Sequence, residues 1–215
     1  MAPLVPIPSP GFPLYYGPEG AALVIIVHDW YGRLPWLDNL ARAFQHRGYR
    51  VAVPDLYDGF ATTDPTDATR LMNDLDVATA LEELDEIIQD ARADGTTRIA
   101  TVGFSMGGWL SLLHAQGGSV DAVVAYYSTL ATAQHGVVPC PVLLQFAEND
   151  SWRETEDPES FIDRLKDHGT PVSDFRYLGT VHGFANASIP ADFDANAAAL
   201  AFARTEGFLE DQLSN

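Results

Sequence analysis

A serine in a glycine-flanked turn is the residue of this chain whose surroundings point most directly to chemistry. The segment Gly103-Phe104-Ser105-Met106-Gly107 follows an apolar run and comes directly before a helical pattern. In such a G-x-S-x-G turn, the small residues let strand and helix backbones approach, and the serine hydroxyl is held out above the sheet. The N-terminus of the helix directs free N–H groups to the same place, where they favour negative charge. We interpret Ser105 as a candidate nucleophile; the alternative is a glycine-rich turn with an incidental serine.

A serine needs a base to take its proton, and the base needs an acid to hold it in one tautomer. Asp150 follows the apolar run 141–146, and His182 follows the run 172–178, so both lie in loops after predicted strands. Sites in open α/β sheets gather outside the carboxyl ends of the strands. We therefore expect Ser105, Asp150 and His182 to converge there as nucleophile, orienting acid and base.

Other acids and histidines compete for the two supporting roles. Glu148 and Asp157 lie near enough in sequence to replace Asp150. His28 stands at the end of an earlier predicted strand, too early to follow the acid, and we interpret it as a loop-shaping residue near the site. The remaining histidines fall on predicted helices or in spacer loops, where surface or packing roles are typical: His46, His114, His135 and His168.

The oxyanion formed by attack on a carbonyl needs two preorganised N–H donors. Met106 N–H, at the start of the predicted helix, is one candidate. The other is Trp30 N–H in the loop after the first central strand, with Tyr31 N–H as the fallback; simple packing under the loop is the alternative for both side chains. Several further residues are predicted to bind substrate, each of which could equally be core: Tyr31, Trp36, Tyr57, Trp109, Trp152 and Phe184.

The elements that must position these residues alternate along the chain. Continuous Val/Ile/Leu runs are typical of strands covered by helices on both faces, so we predict an α/β fold with a mostly parallel central sheet. Apolar runs cover residues 21–27, 50–54, 98–103, 120–127, 141–146 and 172–178. Helical patterns cover residues 36–47, 67–93, 105–116, 157–168 and 191–212, with Asp67 as the expected N-cap of the longest.

The same patterns predict the domain organisation. Residues 1–20 are rich in Pro and Gly and are predicted to form an irregular arm with an edge strand near 12–16. Residues 21–215 are predicted to form a single domain. Only about thirteen residues separate Tyr127 from Pro141, which leaves no room there for a large cap over the site.

Charge and composition exclude several classes of protein. The 215 residues carry 30 acidic and 12 basic side chains, a formal net charge of −18. Without a basic face, nucleic acids and anionic membranes are excluded as expected partners. A single cysteine, Cys140, forms no internal disulfide and is expected to be a small buried apolar residue, and the N-terminus lacks a secretory pattern, so a cytoplasmic location is expected. No motif for a metal or a nucleotide is present, and no cofactor is predicted.

Beyond the serine turn, three segments resemble the dienelactone hydrolase family of α/β-hydrolases. Val-His-Asp-Trp-Tyr-Gly at residues 27–32 is similar to the family's oxyanion loop, residues 47–57 to its second strand and following turn, and His-Gly-Phe at residues 182–184 to its histidine segment. The resemblance implies an α/β-hydrolase fold without a large cap.

Two departures from the family pattern modify what the resemblance implies. Family members acting on dienelactone use a cysteine nucleophile, whereas this chain has Ser105, which favours a general serine carboxylesterase. The family commonly carries an arginine shortly after the histidine to grip the substrate carboxylate, and that position is Asn186 here, so anionic lactones lose support. Arg33 or Arg70 could still supply a local anchor.

These observations predict a serine hydrolase that cleaves small carboxylic esters or lactones through an acyl-enzyme. An exposed site without a cap favours short acyl chains. A thioesterase, acyltransferase or peptidase on the same three residues is an alternative, as is a non-catalytic α/β scaffold that binds a partner. The oligomeric state is left open by the sequence.

Overall fold

One mixed sheet forms the centre of the molecule. The computed structural model describes residues 5–152 and 157–214, and within them seven strands pair in the order β1-β3-β2-β4-β5-β6-β7. All neighbouring strands are parallel except β1, which pairs antiparallel with β3 at one edge. The strands are β1 (Leu14–Tyr16), β2 (Leu23–Val27), β3 (Arg50–Val53), β4 (Ile99–Phe104), β5 (Ala122–Tyr126), β6 (Val142–Asn149) and β7 (Val172–Val181).

Helices cover both faces of this sheet, because successive residues of the buried strands point to opposite sides. On β2, Leu23, Ile25 and Val27 pack in a cluster with side chains of α3, α4 and α5, whereas Val24 and Ile26 pack with those of α1 and α6. The helices are α1 (Trp36–His46), α2 (Pro65–Asp74), α3 (Val77–Ala93), α4 (Met106–Ala115), α5 (Pro158–Asp167) and α6 (Ala195–Leu213).

The predicted α/β class and mostly parallel sheet are therefore confirmed. Between β5 and β6 the chain forms only a short 3-10 turn over Thr132–Gln134, and the described residues contain no large cap domain. Among them, no helix has both the length and the apolar character that a membrane span requires.

The predicted continuous helix over residues 67–93 is wrong. It is two helices, because Leu75 is extended and Asp76 caps the start of α3 with its side chain. An aspartate at such a position satisfies free N–H groups of a new helix better than it continues an old one. Asp67 is not an N-cap either: Asp64 accepts from the first-turn N–H groups of α2, and Asp67 lies inside that turn.

The N-terminal segment is held against the sheet by a buried arginine. The Arg33 guanidinium donates to the carbonyl oxygens of Phe12 (2.8 Å), Ser9 (2.8 Å) and Pro8. Asp55, whose side chain is fully buried, stands 3.9 Å from the same guanidinium and accepts from the backbone N–H of Gly11 and Gly59. Residues 1–4 of the predicted arm, and residues 153–156 and 215 of the predicted domain, lie outside the described residues.

Candidate active site

The serine turn joins β4 to α4 with very little space around its backbone. A Cβ added to Gly103 would lie 2.1 Å from the carbonyl oxygen of Gly107, and one added to Gly107 would lie 2.3 Å from the carbonyl oxygen of Val27. Ser105 itself has a φ of 51°, a conformation that L residues rarely adopt. The glycines thus permit a close crossing of β2, β4 and α4, and the strained turn lifts Ser105 above the sheet.

A chain of two hydrogen bonds runs from Ser105 through His182 to Asp150. The Ser105 Oγ to His182 Nε2 distance is 2.7 Å, and the His182 Nδ1 to Asp150 Oδ1 distance is 2.9 Å. A carboxylate only accepts, so Nδ1–H donates to Asp150 and leaves Nε2 to accept the serine proton. In this arrangement a hydroxyl can be deprotonated as it attacks, while the carboxylate stabilises the resulting imidazolium.

Strand ends place the three side chains. β4 ends at Phe104, directly before the serine, whereas β6 ends at Asn149 and β7 at Val181, so Asp150 and His182 each follow a strand immediately. The Asp150 carboxylate is further fixed by accepting from the backbone N–H of Trp152 at 3.0 Å. Its side chain is 4% exposed, against 14% for His182, so the acid is buried and the histidine remains reachable.

The competing acids bind elsewhere. Glu148 accepts from the backbone N–H of Gly179 at 2.6 Å. Asp157 caps the start of α5 and accepts from Ser160 N–H at 3.2 Å. Neither is hydrogen-bonded to His182 among the described bonds.

His28, the competing histidine, is fully buried and links two loops. Its Nδ1–H donates to the carbonyl oxygen of Asp29 at 2.7 Å, and its Nε2 accepts from Leu56 N–H at 3.2 Å. Burial lowers the pKa of His28 to about 4, since the charged imidazole would lose its hydration. His28 is therefore neutral near pH 7 and joins the loop after β2 to the loop after β3.

Asp29 is a buried carboxyl beside the histidine that the sequence reasoning passed over. Its Oδ1 accepts from Tyr31 N–H at 2.9 Å, and its Oδ2 accepts from Asn186 Nδ2 at 2.8 Å. Burial raises the pKa of Asp29 to about 6, while the neighbouring His182 acts in the opposite direction. Its position was a signal that the sequence offered, because it lies two residues after the end of β2, and sites in open α/β sheets gather at the carboxyl ends of strands.

The hydrogen bond from Tyr31 N–H to Asp29 favours Trp30 over Tyr31 as the oxyanion donor from the loop after β2. Tyr31 N–H is already donated to Asp29, whereas Trp30 N–H has no acceptor within the described part of the chain. Met106 is the first residue of α4, where backbone N–H groups lack partners inside the helix. Trp30 N–H and Met106 N–H thus remain the predicted pair.

Two clefts border the Ser105–His182 pair, and Tyr127 and Trp152 line both. The small cleft has a volume of about 40 Å³ and is also lined by Asp29, Trp30, Tyr31, Gly183, Asn186, Ile189 and Asp192. The large cleft has a volume of about 240 Å³ and is also lined by Met72, Met106, Trp109, Ser128, Thr129, Phe146, Asp150 and Pro158.

The two indoles that line the small cleft are in direct contact. The ring centroids of Trp30 and Trp152 lie 4.7 Å apart at an interplanar angle of 73°, and the Trp152 ring is 5.9 Å from that of His182. Trp152 is 53% exposed. Two adjacent indoles therefore form part of the wall of the small cleft.

Of the residues predicted to bind substrate, the structure places Tyr31, Trp109 and Trp152 in the cleft walls and contradicts four others. Trp36 is buried against Phe104, with ring centroids 4.8 Å apart, and Phe184 is buried against Tyr127 at 5.4 Å. Aromatic residues near strand ends pack into the core as readily as they line a cleft, and here the core is the outcome for both.

Tyr57 and Arg33 are the other two corrections. The Tyr57 hydroxyl donates to Met106 Sδ at 3.1 Å, and the residue lines a different cavity of about 490 Å³, which none of Ser105, Asp150 and His182 lines. Arg33 is buried among backbone carbonyls, as described above, and reaches neither cleft. Arg70, the other suggested anchor, pairs with Asp67 at 2.8 Å and lines the same separate cavity.

Outside the clefts, Cys140 is buried in the apolar cluster on the α3 face of the sheet. Among the described residues, no three His, Cys, Asp or Glu side chains are grouped so that they could hold a metal ion.

Comparison with known proteins gives a consistent family match. A model of the dienelactone hydrolase family matches residues 14–213. Protein usf of Aquifex pyrophilus is 25% identical over 211 residues, covering 91% of this chain and 90% of that relative. Carboxymethylenebutenolidase 1 of Cupriavidus pinatubonensis is 25% identical over 201 residues, covering 87% and 85% respectively.

A solved structure shares the fold. Esterase 2 of Thermogutta terrifontis, phosphorylated by paraoxon, aligns with a TM-score of 0.69 at 17% identity, covering 93% of this chain and 88% of that one. The family match runs from β1 to the last turn of α6 and confirms the resemblance carried by the three sequence segments. This chain therefore belongs to the dienelactone hydrolase family and is a hydrolase of that type.

Proposed function

We propose that this protein hydrolyses small carboxylic esters or lactones through an acyl-enzyme on Ser105. The observation that carries the proposal is the pair of hydrogen bonds, 2.7 Å and 2.9 Å long, that links Ser105 to His182 and His182 to Asp150. An esterase among the solved structures of this fold supports the reaction class.

In the first half of the reaction, Ser105 Oγ forms a bond to the carbonyl carbon while His182 Nε2 takes the hydroxyl proton. The carbonyl becomes a tetrahedral oxyanion, and Asp150 stabilises the imidazolium. When the intermediate collapses, the bond to the leaving oxygen breaks and His182 gives its proton to that oxygen. The alcohol leaves, and the acyl group remains on Ser105.

In the second half, water replaces the alcohol. His182 Nε2 takes a proton from the water as the water oxygen bonds to the acyl carbon. When the second tetrahedral intermediate collapses, the bond between Ser105 Oγ and the acyl carbon breaks, His182 gives its proton to Oγ, and the carboxylic acid leaves. Met106 N–H and Trp30 N–H are the donors proposed for both oxyanions. Removal of one such donor from a serine hydrolase raises the free-energy barrier of the reaction by about 3–4 kcal/mol.

The size and polarity of the clefts favour small substrates. The large cleft, about 240 Å³, has apolar walls that suit a compact organic group but not an extended lipid chain. We expect activity to decline from C4 to C16 esters; a steady rise over that range would contradict the assignment.

The proposal is tested by covalent labelling and substitution of the serine. A fluorophosphonate should modify Ser105 in the wild type and leave the Ser105→Ala variant unlabelled. The same variant should lose at least about a thousandfold in kcat/KM on 4-nitrophenyl butyrate, with an unchanged circular dichroism spectrum.

Ser119→Ala is the matched control. Ser119 precedes β5 at the opposite end of the sheet, so its loss should change neither labelling nor rate. A wild-type protein that resists the fluorophosphonate and cleaves no ester would instead be a binding scaffold, and the proposal would be wrong.

A further inference from the structure

The described acidic and basic side chains of the small cleft are unbalanced in charge. Two carboxyl side chains, Asp29 and Asp192, line it, and the described lining residues of both clefts include no lysine or arginine. Among the described residues, a substrate carboxylate in this cleft would meet like charge without a compensating cation. A substrate that offers a donor would not.

Asp29 retains capacity to accept further hydrogen bonds. Its side chain accepts one bond on each oxygen, from Tyr31 N–H and from Asn186 Nδ2, and a carboxylate has about four lone-pair sites in all. Burial and the two carboxylates also affect the pKa of the neighbouring Tyr31 phenol. Its pKa is raised to about 12, chiefly by burial and next by Asp192 and Asp29.

Asp192 stands beside the catalytic histidine segment. Its Oδ2 lies 3.9 Å from the position that a Cβ on Gly183 would occupy, and Gly183 directly follows His182. Asp192 is half-buried, and within residues 5–152 and 157–214 no salt bridge engages its carboxylate.

Tyr127 presents its ring to the clefts. It is 3% exposed and lines both clefts. Its hydroxyl oxygen has almost no exposed surface, so an occupant of either cleft meets the phenol ring rather than the hydroxyl.

Volume limits the size of the group that the small cleft can take. At about 40 Å³ it has about a sixth of the volume of the large cleft, so it suits a short substituent. The large cleft, about 240 Å³ and walled in part by Met72, Met106, Trp109 and Phe146, has room for a larger apolar leaving group. That would leave the small cleft for a short acyl part, which stays bound to Ser105.

We propose that the small cleft selects acyl groups that carry an ammonium or a hydroxyl next to the ester carbonyl, and that it disfavours acyl groups with a carboxylate there. The proposal rests on the esterase function proposed above and narrows its substrate class. Asp192 and Asp29 are the specificity-determining residues.

A matched series of phenyl esters tests the selection. Their acyl groups have the form X–CH2–CO, where X is ammonium, hydroxyl, methyl or carboxylate, so that size is nearly constant and only donor character and charge change. The measurement is kcat/KM at pH 7, where an α-amine is still mostly protonated, divided by the rate constant for hydroxide-catalysed hydrolysis of the same ester. The division removes differences in intrinsic reactivity.

We expect the ammonium ester to exceed the methyl ester by about fivefold in this ratio, and the carboxylate ester to fall below it by a similar factor, as a partly exposed charge pair would give. In the Asp192→Lys variant the order of the two charged esters should reverse. Asp211→Lys, at an exposed position of α6, makes the same change in net charge away from the clefts and should leave the order as in the wild type.

The outcomes separate this inference from the function on which it rests. Equal corrected ratios for all four esters, or an order that Asp192→Lys leaves unchanged, would overturn the selection while the esterase assignment stood. Failure to cleave any of the four, together with failure of fluorophosphonate labelling, would overturn the esterase assignment itself.

Discussion

Two connections stand side by side at the carboxyl end of the sheet: the turn from β4 to α4 and the loop that follows β2. The turn is fixed by its backbone, since Gly103 and Gly107 stand where no side chain fits. The loop is fixed by side chains, because His28 and Asp29 bond to groups on other loops and Arg33 binds the N-terminal segment. The two glycines that permit the crowding lie four positions apart in sequence, although Gly107 faces Val27 and His28. The side-chain bonds of the loop join residues far apart in sequence, and no local spacing marks them.

The largest effect should come from the backbone-fixed turn. In Gly107→Ala, the new Cβ would stand 2.3 Å from the carbonyl oxygen of Val27 and 2.4 Å from that of His28, and backbone atoms cannot move aside. We expect a loss of about 4 kcal/mol or more in the free energy of unfolding, measured by urea denaturation, or no folded protein at all.

Gly207→Ala is the control for that substitution. Gly207 lies within α6, and a Cβ there meets no atom within 4 Å. The free energy of unfolding should rise, by up to about 1 kcal/mol, because alanine favours the helix. A Gly107→Ala protein as stable as the wild type would mean that the turn is less constrained than its geometry indicates.

The next largest effect should come from Arg33, which ties the loop after β2 to the N-terminal segment. Arg33→Met removes the donor shared by three backbone carbonyls of the N-terminal segment and leaves Asp55 buried without its cation. Removing one partner of a buried pair costs about 3–5 kcal/mol. The denaturation midpoint should therefore fall strongly.

Arg42→Met provides the comparison. Arg42 pairs with Asp38 on the exposed face of α1, where such pairs contribute little. Its midpoint should stay near that of the wild type. Similar losses in the two variants would show that Arg33 has no special part in holding the loop.

A smaller effect, opposite in sign for adjacent residues, should appear in the pH dependence of stability. The pKa of Asp29 is raised to about 6, so its protonated form is favoured by folding, and that stability is lost as pH rises from about 4 to 6. The pKa of His28 is lowered to about 4, so its neutral form is favoured, and that stability is lost as pH falls from about 6.5 to 4.

Substitution should expose the two contributions separately. Relative to the wild type, the free energy of unfolding of Asp29→Asn should rise by roughly 2–3 kcal/mol when the pH goes from 4 to 7. That of His28→Gln should rise by a similar amount, relative to the wild type, when the pH goes from 7 to 4. Denaturation curves at the two pH values measure both. Parallel pH profiles for the wild type and both variants would contradict the assigned environments.

The contrast between the two connections also explains which features the sequence could predict. The serine turn was predicted because glycine spacing, strand run and helix start are all local. The class of fold followed from the alternation of apolar runs and helical patterns for the same reason. The positions of Asp150 and His182 directly after strands were likewise predictable from the runs that precede them.

What the sequence could not predict depends on distant partners. Arg33 was expected to be a substrate anchor, but its partners are carbonyls spread over the N-terminal segment, and nothing in the local pattern marks them. Trp36 and Phe184 were expected in the walls, and packing from other elements buries them. The helix predicted over 67–93 failed because apolar spacing continues across Leu75 although Asp76 starts a new helix.

The contact between Trp30 and Trp152 has a practical consequence. Both indoles border the space next to Ser105, and their ring centroids lie 4.7 Å apart. We expect a compound that enters that space to change the fluorescence of these two tryptophans. Binding of a non-reacting compound could then be titrated on the Ser105→Ala variant without any dye.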